Sequence, residues 1–266
     1  MEPDNGKKMS ARLEILVSTL GAAGIARLAS REWPAVQGVR RLVVWQQAEG
    51  QVPEQLIRPD TRIVISSTRG LAASRNLALA EASAPWALIS DDDVSFTAPQ
   101  LAALRDALSA ETEADIAMIR AEVEGSSKIY PAVRTLLPSL PPGYWLSSIE
   151  LAIRPDKWRA GGMSFRHEFG LGSGGFESGE EDVMFADAMR CGLRAVYLPI
   201  EAGKHTGIST GMRTESPSFW FAKGGVLRYQ HGKRWWISLL RIPPKRWIHV
   251  VRGARRGSRI RRSDED

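Results

Sequence analysis

The first hundred residues alternate between short runs of β-branched and large apolar side chains and longer stretches of small, helix-compatible ones. Leu13-Glu14-Ile15-Leu16-Val17-Ser18-Thr19, Arg41-Leu42-Val43-Val44-Trp45 and Thr61-Arg62-Ile63-Val64-Ile65-Ser66-Ser67 predict three strands. Residues 21–30, 71–82 and 99–110 have helical character, and Pro85-Trp86-Ala87-Leu88-Ile89 predicts a fourth strand. Strands and helices in alternation imply βαβ units and a largely parallel sheet. Beyond Asp115 the periodicity weakens. Strands are expected at 116–122 and 145–153, separated by the proline-rich stretch 138–143. A glycine-rich segment, 170–179, then precedes a helix over 180–191. Met184, Phe185 and Met189 are placed to pack that helix against the sheet.

Composition narrows the class without naming it. A chain of 266 residues with 43% hydrophobic and 25% charged side chains suits one ordinary globular domain with an appendage. The one cysteine, Cys191, excludes an internal disulfide and a multi-cysteine zinc site, which suggests a reducing compartment. Residues 1–10 are too polar for a secretory signal, and no run of about 18 apolar residues is present to span a bilayer. A cytoplasmic protein is therefore expected.

The net charge of +6 is unevenly placed: residues 223–262 hold 13 of the 36 Lys and Arg and no acid. Trp235, Trp236 and Trp247 are interleaved with those cations. The chain accordingly divides into a domain over 10–222 and a basic, tryptophan-containing segment over 223–266. Such a segment either settles on an anionic membrane surface, binds nucleic acid, or is simply solvated. The first makes the protein peripheral at the inner face of the plasma membrane.

The strongest chemical signal is Leu88-Ile89-Ser90-Asp91-Asp92-Asp93-Val94, three consecutive carboxylates where an apolar strand gives out. Adjacent carboxylates repel, and open α/β sheets bind ligands at the carboxyl ends of their strands. A hard divalent metal with oxygen ligands fits that arrangement.

Gly70, Arg75-Asn76 and Asp91-Asp92-Asp93, in that order, are followed by Ser178-Gly179-Glu180-Glu181-Asp182, Cys191-Gly192, the strand-like run Ala195-Val196-Tyr197-Leu198-Pro199 and His205. Over roughly residues 12–232 this ordered set resembles glycosyltransferase family 2, whose members have the GT-A fold, a Rossmann-like mixed α/β sheet flanked by helices. The stretch 218–224 is similar to members seen in bacterial polysaccharide synthesis. The resemblance implies an inverting, metal-dependent transfer from a nucleotide-diphosphate sugar to a hydroxyl of a glycan or lipid-linked acceptor. It places Asp91 and Asp93 on a shared Mn²⁺ or Mg²⁺, with His205 completing the shell; an imidazole ligand favours manganese. Asp91 or Asp92 then lies near the donor ribose or sugar. Gly70 and Arg75 belong to the donor side, Arg75 facing the nucleotide or diphosphate, while Ser18, Thr19 and Gln46 lie where the fold contacts the base.

For the catalytic base the family uses the aspartate of a Gly-Glu-Asp segment. Here the residue after Gly179-Glu180 is Glu181, and Asp182 follows one place later. Counting back from Gly192 aligns Glu181 with the base, ahead of Asp182. Trp145, Trp158 and Trp220 are candidates for stacking on acceptor sugar rings. Two other readings stay open: a sugar nucleotidyltransferase, and a catalytically inactive protein that binds membrane or nucleic acid through its tail.

Overall fold

Seven of the eight residues of β1 (Leu13–Leu20) are buried, the signature of a strand covered on both faces. In the computed structural model, which describes residues 11–123, 128–141, 144–205 and 216–260, β1 lies near the middle of a nine-stranded sheet. It pairs in parallel with β2 (Val39–Gln46) and β4 (Trp86–Asp91), and β2 pairs in parallel with β3 (Thr61–Ser66). Helices α1 (Gly21–Ala29), α2 (Leu71–Glu81) and α3 (Ala98–Ala110) make the connections. Helix α3 begins where its sequence dictates: Thr97 and Gln100 cap each other's backbone N–H groups in a capping box.

The second half of the sheet is mixed. β4 is antiparallel to β8 (Leu151–Ile153), which is antiparallel to β6 (Ile116–Val123), and β6 runs parallel to β9 (Ala195–His205). The two-residue strands β5 (Val94–Ser95) and β7 (Thr135–Leu136) both pair antiparallel with β9. The strand expected over 145–153 is shorter than its apolar pattern suggests. Only Leu151–Ile153 pairs, after a 3₁₀ turn at Ser148–Glu150, because Tyr144 to Ser147 line a cleft instead. β9 in turn continues well past Pro199.

Apolar side chains fill both faces of the sheet. On one face Ile25 and Leu28 of α1 and Leu101, Leu104 and Leu108 of α3 cover Ile15, Val17, Val43 and Trp45. On the other, Leu79 of α2, Trp158 of α4 (Pro155–Ala160) and Met184 and Phe185 of α5 (Glu180–Arg190) cover Leu16, Leu42 and Met118. At about 1.5–3 kcal/mol for each large apolar side chain taken out of water, these two layers hold the frame of the site.

A third cluster joins the glycine-rich segment to the C-terminal region. Phe169, Phe176 and Val183 pack on Ala222, Val226 and Tyr229 of α6 (Pro217–His231). Asp187 of α5, 2% exposed, accepts hydrogen bonds from Tyr229 and from Arg190, both at 2.8 Å. The boundary drawn between residues 222 and 223 therefore falls inside α6. Beyond it α7 (Trp247–Gly257) lies against α6 through glycines: a Cβ on Gly224 would sit 2.0 Å from the Val250 carbonyl oxygen, and one on Gly253 1.9 Å from that of Phe221. Among the described residues no helix is long and apolar enough to cross a membrane.

Candidate active site

The register of the parallel strands assembles one wall of the site. Ser18 is level with Asp91, and Leu20 with Gln46, so the carboxyl ends of β1, β2 and β4 open together. They open into a cleft of ≈ 1080 Å³. Ser18, Thr19, Gln46, Gly70, Arg75, the three aspartates, Glu181, Asp182 and His205 all line it. Trp145 lines it as well. Trp158 does not, being buried against Phe165 in the core, and Trp220 lies outside the lining, edge-on to Phe219.

The three aspartates have three different partners. Asp92, 8% exposed, accepts hydrogen bonds from the Thr19 hydroxyl at 2.8 Å and from the Arg27 guanidinium at 2.5 Å, tying β1 and α1 to the acidic turn. Asp91 lies 3.7 Å from the Arg75 guanidinium. Burial and the neighbouring aspartates raise its proton affinity against the opposing pull of Arg75, although 33% of its side chain still reaches the cleft. Asp93 stands 3.3 Å from Nε2 of His205. Burial raises Asp93, but the bond and charge of His205, with a backbone hydrogen bond and the charge of Arg31, hold the carboxyl below the ordinary range. His205 arrives there because Val94, next to Asp93, pairs across the sheet with it.

Among the described residues no group of three His, Cys, Asp or Glu side chains stands at metal-binding spacing. Asp91, Asp93 and His205 thus form no such group here: Asp91 lies 3.7 Å from Arg75, and Asp93 lies 3.3 Å from His205. Asp93 with His205 does fit a divalent ion. One carboxylate and one imidazole suffice where substrate phosphates and water supply the other positions.

Arg75 is the electrostatic centre of the cleft. It is 2% exposed, 3.0 Å from Glu180 Oε1 and 3.2 Å from Glu181 Oε1, as well as near Asp91. Burial alone would weaken its charge; the three carboxylates more than compensate and raise its pKa. Its neighbour in the Arg-Asn pair does different work. Asn76 donates to the Phe165 carbonyl at 2.8 Å and accepts from the Phe165 N–H at 2.7 Å, clamping α2 to the segment before the glycines.

Glu180, Glu181 and Asp182 open α5, where the positive helix end favours anions. Gly179 precedes them at φ 92, a conformation that disfavours any other residue, and a Cβ there would meet Val226 at 2.4 Å. Despite the helix end and Arg75, the Glu181 carboxyl is pushed up to about 8, first by burial and then by the charge of Glu180. Asp182 instead faces Lys223, 3.9 Å away.

Some lining chemistry was not singled out from the sequence. Lys223 was assigned to the tail, yet Phe219, Lys223 and Val226 of α6 all reach the cleft. Their spacing of four and three residues puts them on one helix face, a signal that was available. Lys128 and Glu150, both nearly inaccessible, form an ion pair behind Tyr144 and Trp145, and Tyr130 donates to Glu150 at 2.5 Å. No local pattern linked those residues.

No protein-family model matches the chain, and no curated protein matches it by sequence. Solved structures do. Residues 1–349 of S. aureus TarS superpose with a TM-score of 0.56 at 14% identity, over 92% of this chain and 80% of that one. The same fragment in complex with UDP-GlcNAc gives 0.54 at 14%, over 91% and 79%. In complex with UDP it gives 0.53 at 15%, over 90% and 79%. At such identity the likeness speaks for architecture: the chain has the GT-A-like mixed α/β fold of these glycosyltransferase structures.

Proposed function

We propose that this protein is an inverting glycosyltransferase of family 2, moving a sugar from a nucleotide-diphosphate donor to a hydroxyl of a glycan or lipid-linked acceptor in polysaccharide or cell-envelope synthesis. One observation carries the reading. A single cleft holds a carboxylate of raised proton affinity, Glu181, and, across the buried Arg75, the acidic turn with its Asp93–His205 pair. The TarS fragment in complex with UDP-GlcNAc supports a nucleotide sugar, with uridine donors the first class to test.

In this reading Glu181 is the base, and Asp182, turned to Lys223, is not. A carboxylate whose proton affinity lies close to neutrality accepts a hydroxyl proton more readily than an ordinary one. Glu181 takes that proton as the acceptor oxygen bonds to the anomeric carbon. The bond from that carbon to the phosphate oxygen breaks on the opposite face, and its electron pair leaves with the diphosphate. Arg75 holds Glu181 and Asp91 in place across the cleft, so that base and donor sides keep their separation. Ser18 and Gln46 border the donor end, while Thr19 and Asp92 satisfy each other and stiffen the turn. A divalent ion held by Asp93 and His205, manganese before magnesium, would neutralise charge on the departing diphosphate.

The test is donor hydrolysis by the purified protein over a panel of nucleotide sugars with Mn²⁺, which needs no acceptor. One donor is expected to be hydrolysed slowly. Glu181→Gln should keep donor affinity and lose at least about 100-fold in turnover. Asp93→Ala should lose Mn²⁺-dependent nucleotide binding. Failure of every nucleotide sugar to bind would refute the proposal, and loss of turnover in Asp182→Asn but not Glu181→Gln would reassign the base.

A further inference from the structure

We propose that the C-terminal segment from Lys233 to Arg255 is a docking surface for an anionic lipid bilayer. Five large apolar side chains, Trp236, Ile237, Leu240, Trp247 and Ile248, are exposed within this short stretch, Leu240 at 79% and Ile248 at 63%. The rest of the described chain exposes seven, spread from Leu20 to Leu171. Scattered apolar residues need no explanation, but a concentrated group does. Around them lie the exposed cations Lys233, Arg234, Arg241, Lys245, Arg252 and Arg255, and residues 223–260 contain no acid at all.

The packing shows which way this surface faces. α7 buries Val250, Gly253, Ala254 and Gly257. Ile248, Arg252 and Arg255 follow one another at spacings of four and three and so run along the opposite side. In the 3₁₀ segment Gly232–Arg241 no residue is buried. Lys233 precedes Trp236 by one turn, as Arg234 precedes Ile237. Apolar groups and cations thus occur together on the exposed sides of both segments, where the former can enter the boundary between headgroups and acyl chains and the latter can meet anionic headgroups.

Charge selects among occupants. A second copy of the same patch would bring like charges together. A nucleic-acid backbone would engage the cations but leave Ile237, Leu240 and Ile248 without partners. An anionic bilayer satisfies both sets. The surface also adjoins the cleft: α6, on which α7 packs, lines the cleft with Phe219, Lys223 and Val226. Membrane binding does not depend on the transferase reading. That docking brings a lipid-linked acceptor to Glu181 does rest on it.

Co-sedimentation of the full chain with phosphatidylcholine vesicles, with and without about a third phosphatidylglycerol, tests the inference. Binding is expected only with the anionic lipid and should weaken as salt rises. Replacing Lys233, Arg234 and Arg241 by Ser should weaken it about 100-fold, at about fivefold for each cation. Leu240→Glu with Ile248→Glu should also release the protein, and both variants should keep the wild-type circular dichroism and donor hydrolysis, since these side chains are exposed and outside the cleft. Equal binding to neutral vesicles, or none to anionic ones, overturns the proposal. So does tight, salt-sensitive binding to duplex DNA that survives Leu240→Glu with Ile248→Glu, or a dimer by light scattering that this variant dissociates. Nucleotide-sugar hydrolysis on the same preparations reports on the transferase reading separately.

Discussion

Replacing Arg75 by Met removes a cation that Glu180, Glu181 and Asp91 share while keeping an apolar stem of similar length beside the Phe165 ring. Glu180 is 5% exposed, so the variant leaves a buried carboxylate uncompensated. Breaking a buried ion pair in this way costs about 3–5 kcal/mol, a large part of the roughly 5–15 kcal/mol that keeps a domain folded. The cost should depend on pH, and its sign follows from Glu181. In the folded wild type that carboxyl is raised from 4.5 to about 8, and without Arg75 it rises further. A raised carboxyl makes the folded state bind more protons than the unfolded one, so stability falls as pH climbs from the ordinary value through the folded value. At pH 5 Glu181 carries its proton in wild type and variant alike, so loss of Arg75 should cost about 1 kcal/mol less there than at pH 8.5. Urea unfolding of wild type and Arg75→Met at pH 5 and pH 8.5 measures both. An equal loss at the two pH values would mean that Arg75 acts through packing, and the electrostatic account of the cleft would be wrong.

The same titration bears on Glu181 itself. Wild-type turnover should rise with pH through about 8 as the base loses its proton. Glu181→Gln should match the wild-type melting temperature at pH 5 and exceed it at pH 9, because it removes a charge that burial opposes; a melting temperature lower at both values would contradict this. At the other end of the molecule, Gly253→Leu places a side chain where the Phe221 carbonyl stands 1.9 Å from a Cβ position, so α7 should separate from α6. Faster amide exchange across 247–257, with the sheet unaffected, is the expected result, and unchanged protection would show that the helices do not need the glycine contact.

Several elements were legible because the information is local. The apolar runs at Leu13 and Leu42 have the length and side-chain type of strands buried on both faces, and they appear as β1 and β2 with only small changes at their ends. The helical stretch 99–110 appears as α3 with its start one residue earlier. The triplet of acids at the end of a strand marked the mouth of the cleft for the same reason. The run from Trp145 misled, because large apolar side chains that line a cleft look in sequence like those that line a core. β5 was too short to show a period, and the tail was read as an appendage because the contacts that hold it, Gly224 on Val250 and Gly253 on Phe221, require no apolar pattern.

The sequence by itself determined the parallel half of the sheet, the helices over it and the carboxylates at its edge, since the spacing of apolar side chains and the properties of adjacent residues are local quantities. Only the tertiary structure decided how the acids are shared. Asp91 goes to Arg75, Asp92 to Thr19 and Arg27, and Asp93 to His205. Arg75 meets Glu180 across 105 residues, and His205 reaches Asp93 through the pairing of β5 with β9. Such meetings depend on strand order and on the angle at which helices settle on the sheet, and neither leaves a trace in the neighbours of any one residue.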